Sequence, residues 1–499
     1  MDNELLNVED LTVSFDRYDS RAPYFSSKRV RCKVLHGLSL HVRVGEVLAI
    51  VGASGSGKSV LAGALLGLFE PNSRVFGQIR FKGEKLSSSD FERLRGHGVA
   101  FVPQGVESLD PLMPVGRQVR GLARGRTRAE RLADKKRRRL RQRELFRAYG
   151  LPASVERCYP HELSGGMARR ILFMSALMDD PKLIIADEPT PGMDVKQAVR
   201  AVEDLRSFAD SGGSVVLITH DLELGLRVAD RVAVFRDGAI VEEAPVSRFD
   251  DPERLAHPFA RSLALELMAL REDANRPLQC DGHEAEGHAV LQAEGITFGY
   301  TASKPVFADL SLTLGLGERL AILGPSGAGK TTLCKVLAGY LKPTSGHVRI
   351  DGTEMGAIDG LYRHAPRSAF PIQLVAQHPE SAFDPSLTIR RSLSEAGDPD
   401  GDRGMMLRSQ FGVNSAWLDR MPHELSGGEL MRLCLVRALM VRPRVLICDE
   451  VTAMLDVATQ AKLWSALMDM QAKERFGLIF VSHSRAIVNR IATRVMSLE

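Results

Sequence analysis

Two octapeptides in this chain, GASGSGKS at 52–59 and GPSGAGKT at 324–331, have the residue types and spacing to hold a polyphosphate. Gly52, Gly55 and Gly57, and in the second copy Gly324, Gly327 and Gly329, let the backbone come close to the anion. Ser54 and Ser326 lie in the same loops, whose N–H groups, with the positive end of the following helix, face the phosphates. Lys58 and Lys330 would reach the terminal phosphates. Ser59 and Thr331 would hold magnesium through their hydroxyls, and Thr332 stands beside them as a further nucleotide contact. Downstream, IIADE (184–188) and LICDE (446–450) end in paired carboxylates. Asp187 and Asp449 suit magnesium, directly or through water, and Glu188 and Glu450 suit the general base that polarises an attacking water. VVLITH and LIFVSH end in His220 and His483, placed to hydrogen-bond the terminal phosphate. Gln104 and Gln377 can touch both metal and water with a neutral amide, which fits them to sense the nucleotide.

Such groups act only if secondary structure positions them. VLAIVG (47–52) and LAILG (320–324) are short apolar runs that read as buried strands, and KSVLAGALLGLF and KTTLCKVLAGYL continue as helices with apolar faces. The acidic pairs and the histidines each close a further apolar run. The whole pattern is repeated: Lys58 and Lys330 are 272 positions apart, Gln104 and Gln377 273, Glu188 and Glu450 262, His220 and His483 263. The change of offset falls between Gln104 and Ser164, which is 262 positions before Ser426, and gives the first half about ten extra residues there. A second excess, residues 16–33, reads as an inserted surface loop.

With 499 residues, 44% of them hydrophobic, the chain can fill two cores. Its net charge of +4 is too slight to require nucleic acid as a partner. No apolar run approaches the roughly 18 residues of a membrane helix, and the acidic start MDNELLNVED is unlike a signal peptide, so a cytoplasmic location is expected. The six cysteines contain no CxxC pair, which suits a reducing compartment. The expected organisation is a first domain over 1–270, a linker over 271–288 and a second domain over 289–499. In the linker, Cys280 with His283 and His288 offers a zinc-binding alternative to a plain polar connection.

LSGGM (163–167) and LSGGE (425–429), lying between the phosphate loop and the acidic strand, resemble the signature of ATP-binding cassette (ABC) ATPases. The resemblance covers nearly the whole chain. It implies an α/β fold of two tandem P-loop NTPase domains, each with a RecA-like parallel-sheet core, an antiparallel β subdomain and a helical signature subdomain. It also implies ATP and Mg2+ as cofactors and two ATP sites formed head to tail in an intramolecular cassette dimer. Lys58 would share one ATP with Ser426, Gly427 and Gly428, and Lys330 the other with Ser164, Gly165 and Gly166. Asp194 and Asp456 match the family's following aspartates, and Tyr300 the aromatic that packs on adenine; in the first half Phe15, Tyr18, Tyr24 and Phe25 stay open for that role.

PQGVESLDPLMPVGRQV (103–119), AQHPESAFDPSLTIRRSL (376–393) and HPFARSL (257–263) look like segments of the ATPases of oligopeptide, dipeptide and nickel importers. That implies two transmembrane permease subunits, an extracytoplasmic solute-binding protein, a peripheral place on the cytoplasmic face of the plasma membrane, and a peptide or a nickel or metal chelate as solute. The alternative is a soluble tandem cassette acting on ribosomes or nucleic acid; PGMD (191–194) and AMLD (453–456) depart from the Asn-His-Leu-Asp of those proteins. Arg169 and Met431 replace the usual glutamine of the signature helix, and Val451 the usual proline, from which altered rates are expected. The basic run 125–150 falls in the extra stretch of the first half. It would suit anionic lipid, a permease loop, nucleic acid or plain solvent.

Overall fold

The computed structural model describes residues 4–18, 29–52, 55–190, 193, 195–276, 289–301, 304–325, 327–355, 371–452, 455–482 and 484–498. The chain divides into two compact units, Met1–Ala264 and Leu265–Glu499.

In the first unit, β1 (Glu4–Tyr18), β2 (Arg29–Arg43), β4 (Ser73–Phe81) and β5 (Glu84–Lys85) form an antiparallel sheet of order β2-β1-β4-β5. The second sheet contains β3 (Val47–Gly52), β6 (Val99–Val102), β7 (Leu183–Asp187), β8 (Ser214–Thr219), β9 (Arg231–Arg236) and β10 (Ala239–Pro245). Its order is β10-β9-β3-β8-β7-β6, parallel except for the β9–β10 hairpin. The strands β3, β7 and β8 are buried along their whole length and largely apolar because both their faces are covered. Leu48, Ile50, Ile185 and Val216 point into the core shared with the antiparallel sheet, whereas Val47, Ile184, Val215 and Leu217 point to the opposite core. The helices are α1 (Lys58–Leu65), α2 (Ser88–Leu94), α3 (Val115–Arg120), α4 (Arg128–Ala148), α5 (Gly165–Leu177), α6 (Val195–Asp210) and α7 (Leu222–Val228), and α8 (Pro258–Asn275) runs across the boundary between the two units.

The second unit repeats this plan. β11 (Ala289–Phe298), β12 (Phe307–Gly315), β14 (Ser345–Ile350) and β15 (Thr353–Glu354) make the antiparallel sheet. β13 (Arg319–Leu323), β16 (Ile372–Val375), β17 (Val445–Asp449), β18 (Gly477–Val481) and β19 (Arg494–Ser497) make the parallel one, in the order β16-β17-β18-β13-β19. Its helices are α9 (Lys330–Leu337), α10 (Ile389–Ser394), α11 (Asp402–Gln410), α12 (Gly427–Met440), α13 (Val457–Glu474) and α14 (Arg485–Ile491). Among the described residues, the β10 strand has no counterpart here.

Three features refine the reading of the sequence. Residues 16–18 and 29–33 are strand rather than loop, and they lengthen the pairing of β1 with β2. The extra stretch after Gln104 lengthens a helix, since α4 has 21 residues where α11 has 9. Helix α8 continues through residues 271–275, so the start of the expected linker is helical.

Candidate nucleotide-hydrolysis sites

In each unit the expected groups lie at the carboxyl ends of neighbouring parallel strands, where an open α/β sheet offers a crevice. The loop after β3 turns into α1 through Gly57, whose φ of 105° is left-handed; Gly329 before α9 has φ 90°. Lys58 is 4% exposed and its Nζ donates to the Gly52 carbonyl at 2.9 Å, which curls the side chain back over its own loop. Lys330 does the same to the carbonyls of Gly324 and Pro325, at 2.8 and 2.9 Å.

Glu188 and Glu450 follow directly on β7 and β17. Both have positive φ, 45° and 52°, a conformation unusual for glutamate that is fixed by an N–H bond to the next strand, at Ile218 O and Val481 O. The turn aims the two carboxylates at the glutamines: Gln104 Nε2 donates to Glu188 Oε2 at 3.0 Å, and Gln377 Nε2 to Glu450 Oε2 at 2.9 Å. In the first unit, Lys58 Nζ lies 3.8 Å from Glu188 Oε1 and His220 Nδ1 lies 3.4 Å from Oε2.

Burial works against charge throughout this crevice. It raises the pKa of Asp187 and Asp449, the hydroxyls of Ser59 and Thr331 pulling the other way and the adjacent glutamates adding to the rise. Burial also pushes on Glu188, but the hydrogen bond and charge of His220, with the charge of Lys58, outweigh it and leave the carboxyl below its ordinary range. For His220 burial disfavours the imidazolium, yet Glu188 outweighs that and the pKa is raised. Glu188 is therefore ionised at neutral pH. Burial lowers the Lys330 ammonium against the pull of Glu450 and Asp449.

Asp187 Oδ1 and Asp449 Oδ1 are buried without a hydrogen-bond partner. An orphaned carboxylate oxygen beside a serine or threonine hydroxyl is an all-oxygen donor set, which fits a hard cation such as magnesium. No other cluster of His, Cys, Asp and Glu among the described residues fits a metal.

Ser164 and Ser426 cap α5 and α12, each accepting from the N–H three residues on, at 3.3 and 3.4 Å. The second cap is a full box, because Glu429 also accepts from the Ser426 N–H and hydroxyl. Gly165, Gly166, Gly427 and Gly428 form the first turns of these helices. Tyr300 is 67% exposed and its hydroxyl lies 3.2 Å from that of Thr332, which places a free aromatic face beside the phosphate-loop helix. Phe15 is partly buried against the first core. Asp456 is buried and caps α13, accepting from the Thr459 N–H at 3.1 Å. Ser54, Asp194, Ser326 and His483 lie outside the described residues, as do Tyr24, Phe25, Cys280, His283, His288 and the Tyr18 side chain.

One contact was not legible in the sequence. Arg169 Nη1 donates to the carbonyl of Pro189, the residue after Glu188, at 2.8 Å and so ties the signature helix to the base. Its presence where the family has glutamine was the only signal. Met431 and Val451 in the second unit are instead buried apolar residues of the core.

Parallel-sheet cores with a lysine-bearing glycine loop and an Asp–Glu pair at the end of a further parallel strand define the P-loop nucleoside triphosphatases. Residues 35–191 and 307–453 match the model of the family described as ABC transporter. The chain belongs to that family, as an ATP-binding protein with two cassettes and ATPase activity. It is 31% identical over 522 residues to the glutathione import ATP-binding protein GsiA of Pectobacterium atrosepticum, covering 95% of this chain and 82% of that one. It is also 31% identical over 513 residues to the peptidoglycan transport ATP-binding protein YejF of Agrobacterium fabrum, covering 98% and 90%. Among solved structures it resembles RNase-L Inhibitor, with a TM-score of 0.59 at 22% identity over 93% of this chain and 85% of that one; this likeness concerns the fold alone.

Proposed function

We propose that this chain is the ATP-hydrolysing subunit of an importer for small peptides or peptide-like solutes. The observation that carries the reading is the near-full-length similarity to import ATP-binding proteins named for glutathione and peptidoglycan transport. Those names favour the peptide class over the nickel or metal-chelate class. No described helix is long and apolar enough to cross a membrane, so translocation would fall to partner proteins. We place the chain at the cytoplasmic face of the membrane, with two permease subunits and an extracytoplasmic solute-binding protein.

The chemistry follows from the two sets of side chains. Lys58 and Lys330 would leave their own loop carbonyls for the terminal phosphates. Ser59, Gln104 and Asp187 in one cassette, and Thr331, Gln377 and Asp449 in the other, would hold magnesium, which neutralises charge gathering on the phosphates. Glu188 and Glu450 would orient and deprotonate water, and His220 and His483 would hydrogen-bond the terminal phosphate. The signature serines and glycines would complete the opposite cassette's site, so that ATP drives closure and hydrolysis resets it. Support for two working sites is that the Gln–Glu hydrogen bond and the orphaned aspartate oxygen occur in both units. Purification from detergent-solubilised membranes tests the reading: a permease should co-purify, and labelled glutathione or peptide, rather than nickel, should be taken up. Recovery of the chain on ribosomes without a permease would defeat it.

A further inference from the structure

The run KKRRR at 135–139 gives α4 a dense positive charge, and the structure sorts its cations into two sets. The inner set is paired. Arg138, 4% exposed, donates at 2.8 Å to Asp134, to both oxygens of Asp179 and to the Arg120 carbonyl. Arg137 joins Asp179, and Arg141 joins Asp180. Leu145 and Phe146 anchor the end of the helix in the core. The position of α4 is thus fixed by its own unit.

The outer set is a stripe. Leu132, Lys136, Arg139, Leu140, Arg143 and Arg147 recur at spacings of three and four, which puts them on the side of the helix opposite Arg138. All are exposed, Leu132 at 68% and Leu140 at 52%. None of the four cations has an ion-pair partner among the described residues, and the acids Glu130, Asp134 and Glu144 fall off the stripe at 100° per residue. A merely solvated face would intersperse both signs of charge. The matching helix of the second unit has no such stripe: in α11, Arg403 is tied to Glu474 and Arg408 to Asp400.

We propose that the outer stripe of α4 lies on an anionic lipid surface. Cations flanking exposed leucines on one face of a helix suit the headgroup boundary, where the charges meet phosphate and the leucines enter the acyl region. Nucleic acid would use the cations alone and leave both leucines in water. The inference rests on the importer reading, which brings a bilayer next to this chain.

The test is sedimentation of the full chain with vesicles of phosphatidylcholine alone or mixed with phosphatidylglycerol, which contain no permease. Binding to the mixed vesicles only, weakened by salt, is expected. At about fivefold per cation lost, and with each new carboxylate repelled by the anionic surface, Lys136→Glu/Arg139→Glu/Arg143→Glu should reduce it by at least about a hundredfold. The lipid-free ATPase rate of that variant should be unchanged, since these residues stand outside the sites. Leu132→Ser/Leu140→Ser should weaken binding with every charge retained. The proposal is overturned if the wild-type chain ignores mixed vesicles, if the triple variant binds them as well as wild type, or if the double variant does. It is equally overturned if polyuridylate competes the chain off the vesicles while itself binding more tightly. Permease co-purification is read separately, so the failure of either idea leaves the other standing on its own result.

Discussion

The Gln104 amide donates to the Glu188 carboxylate at 3.0 Å across 84 residues of sequence, and Gln377 and Glu450 repeat the bond at 2.9 Å across 73. The bond uses the amide Nε2, whereas an amide would meet a cation through Oε1, so the proposed sensor and the proposed base are joined before nucleotide arrives and can stay joined. The coupling is present in both units. Glu188→Gln and Glu450→Gln made separately should each lower steady-state ATP hydrolysis, and together they should lower it by about 10²–10⁴-fold, the usual worth of a general base. If either single variant hydrolyses ATP at the wild-type rate, the two sites are unequal.

The His220–Glu188 contact gives the first unit a pH dependence. Because the folded pKa of His220 is raised from 6.5, its contribution to stability is complete below that value and is lost as pH rises through the folded pKa. Because that of Glu188 is lowered from 4.5, its contribution is present above that value and is lost as pH falls through the folded one. An NMR titration should put the His220 midpoint above 6.5, and Glu188→Gln should bring it down as burial is left unopposed. An unmoved midpoint in that variant would remove the pair from the account.

The proposed head-to-tail pairing assigns Ser164 to the ATP on Lys330 and Ser426 to the ATP on Lys58. Ser164→Arg should reduce nucleotide crosslinking to the second phosphate loop, and Ser426→Arg to the first. Each also removes a helix cap, for about 1 kcal/mol of stability. Loss of crosslinking in the half that carries the substitution would refute the pairing.

The two faces of α4 should differ in stability as they do in exposure. Arg138→Ala removes the buried guanidinium that bridges Asp134 and Asp179, leaving Asp179 to Arg137, and should destabilise the first unit by about 1.5–3 kcal/mol in urea unfolding. Lys136→Ala should stay within about 0.5 kcal/mol. The inner network should also fail in acid. Asp134 is held at about 2, burial being outweighed by the Arg124 N–H and the Arg138 and Arg137 side chains, so its contribution disappears as pH falls from the ordinary carboxylate range toward 2.

The chemistry was legible because it is local. A glycine loop between a fully apolar strand and a helix, an acidic pair ending a later strand, and serines at helix starts depend on neighbours a few residues away, and their repetition revealed the two cassettes. The same locality explains what was misread. Residues 29–33 look like a loop by composition but pair with β1. Composition alone likewise left the run 125–150 open between a solvated helix and a docking surface, because Asp179 and Asp180, which neutralise its inner face, lie some forty residues away on a different segment.

By itself, then, the sequence determined which side chains can do chemistry, that they occur twice, and which strands are buried on both faces. Backbone geometry and hydrophobic period act over a few residues, so they are written in order along the chain. Only the tertiary structure decided which donor meets which acceptor: Gln104 with Glu188, Arg169 with the Pro189 carbonyl, Arg138 with Asp179. Those contacts join segments brought together by packing of the two cores, and their energies depend on burial and distance, which no spacing in the sequence encodes.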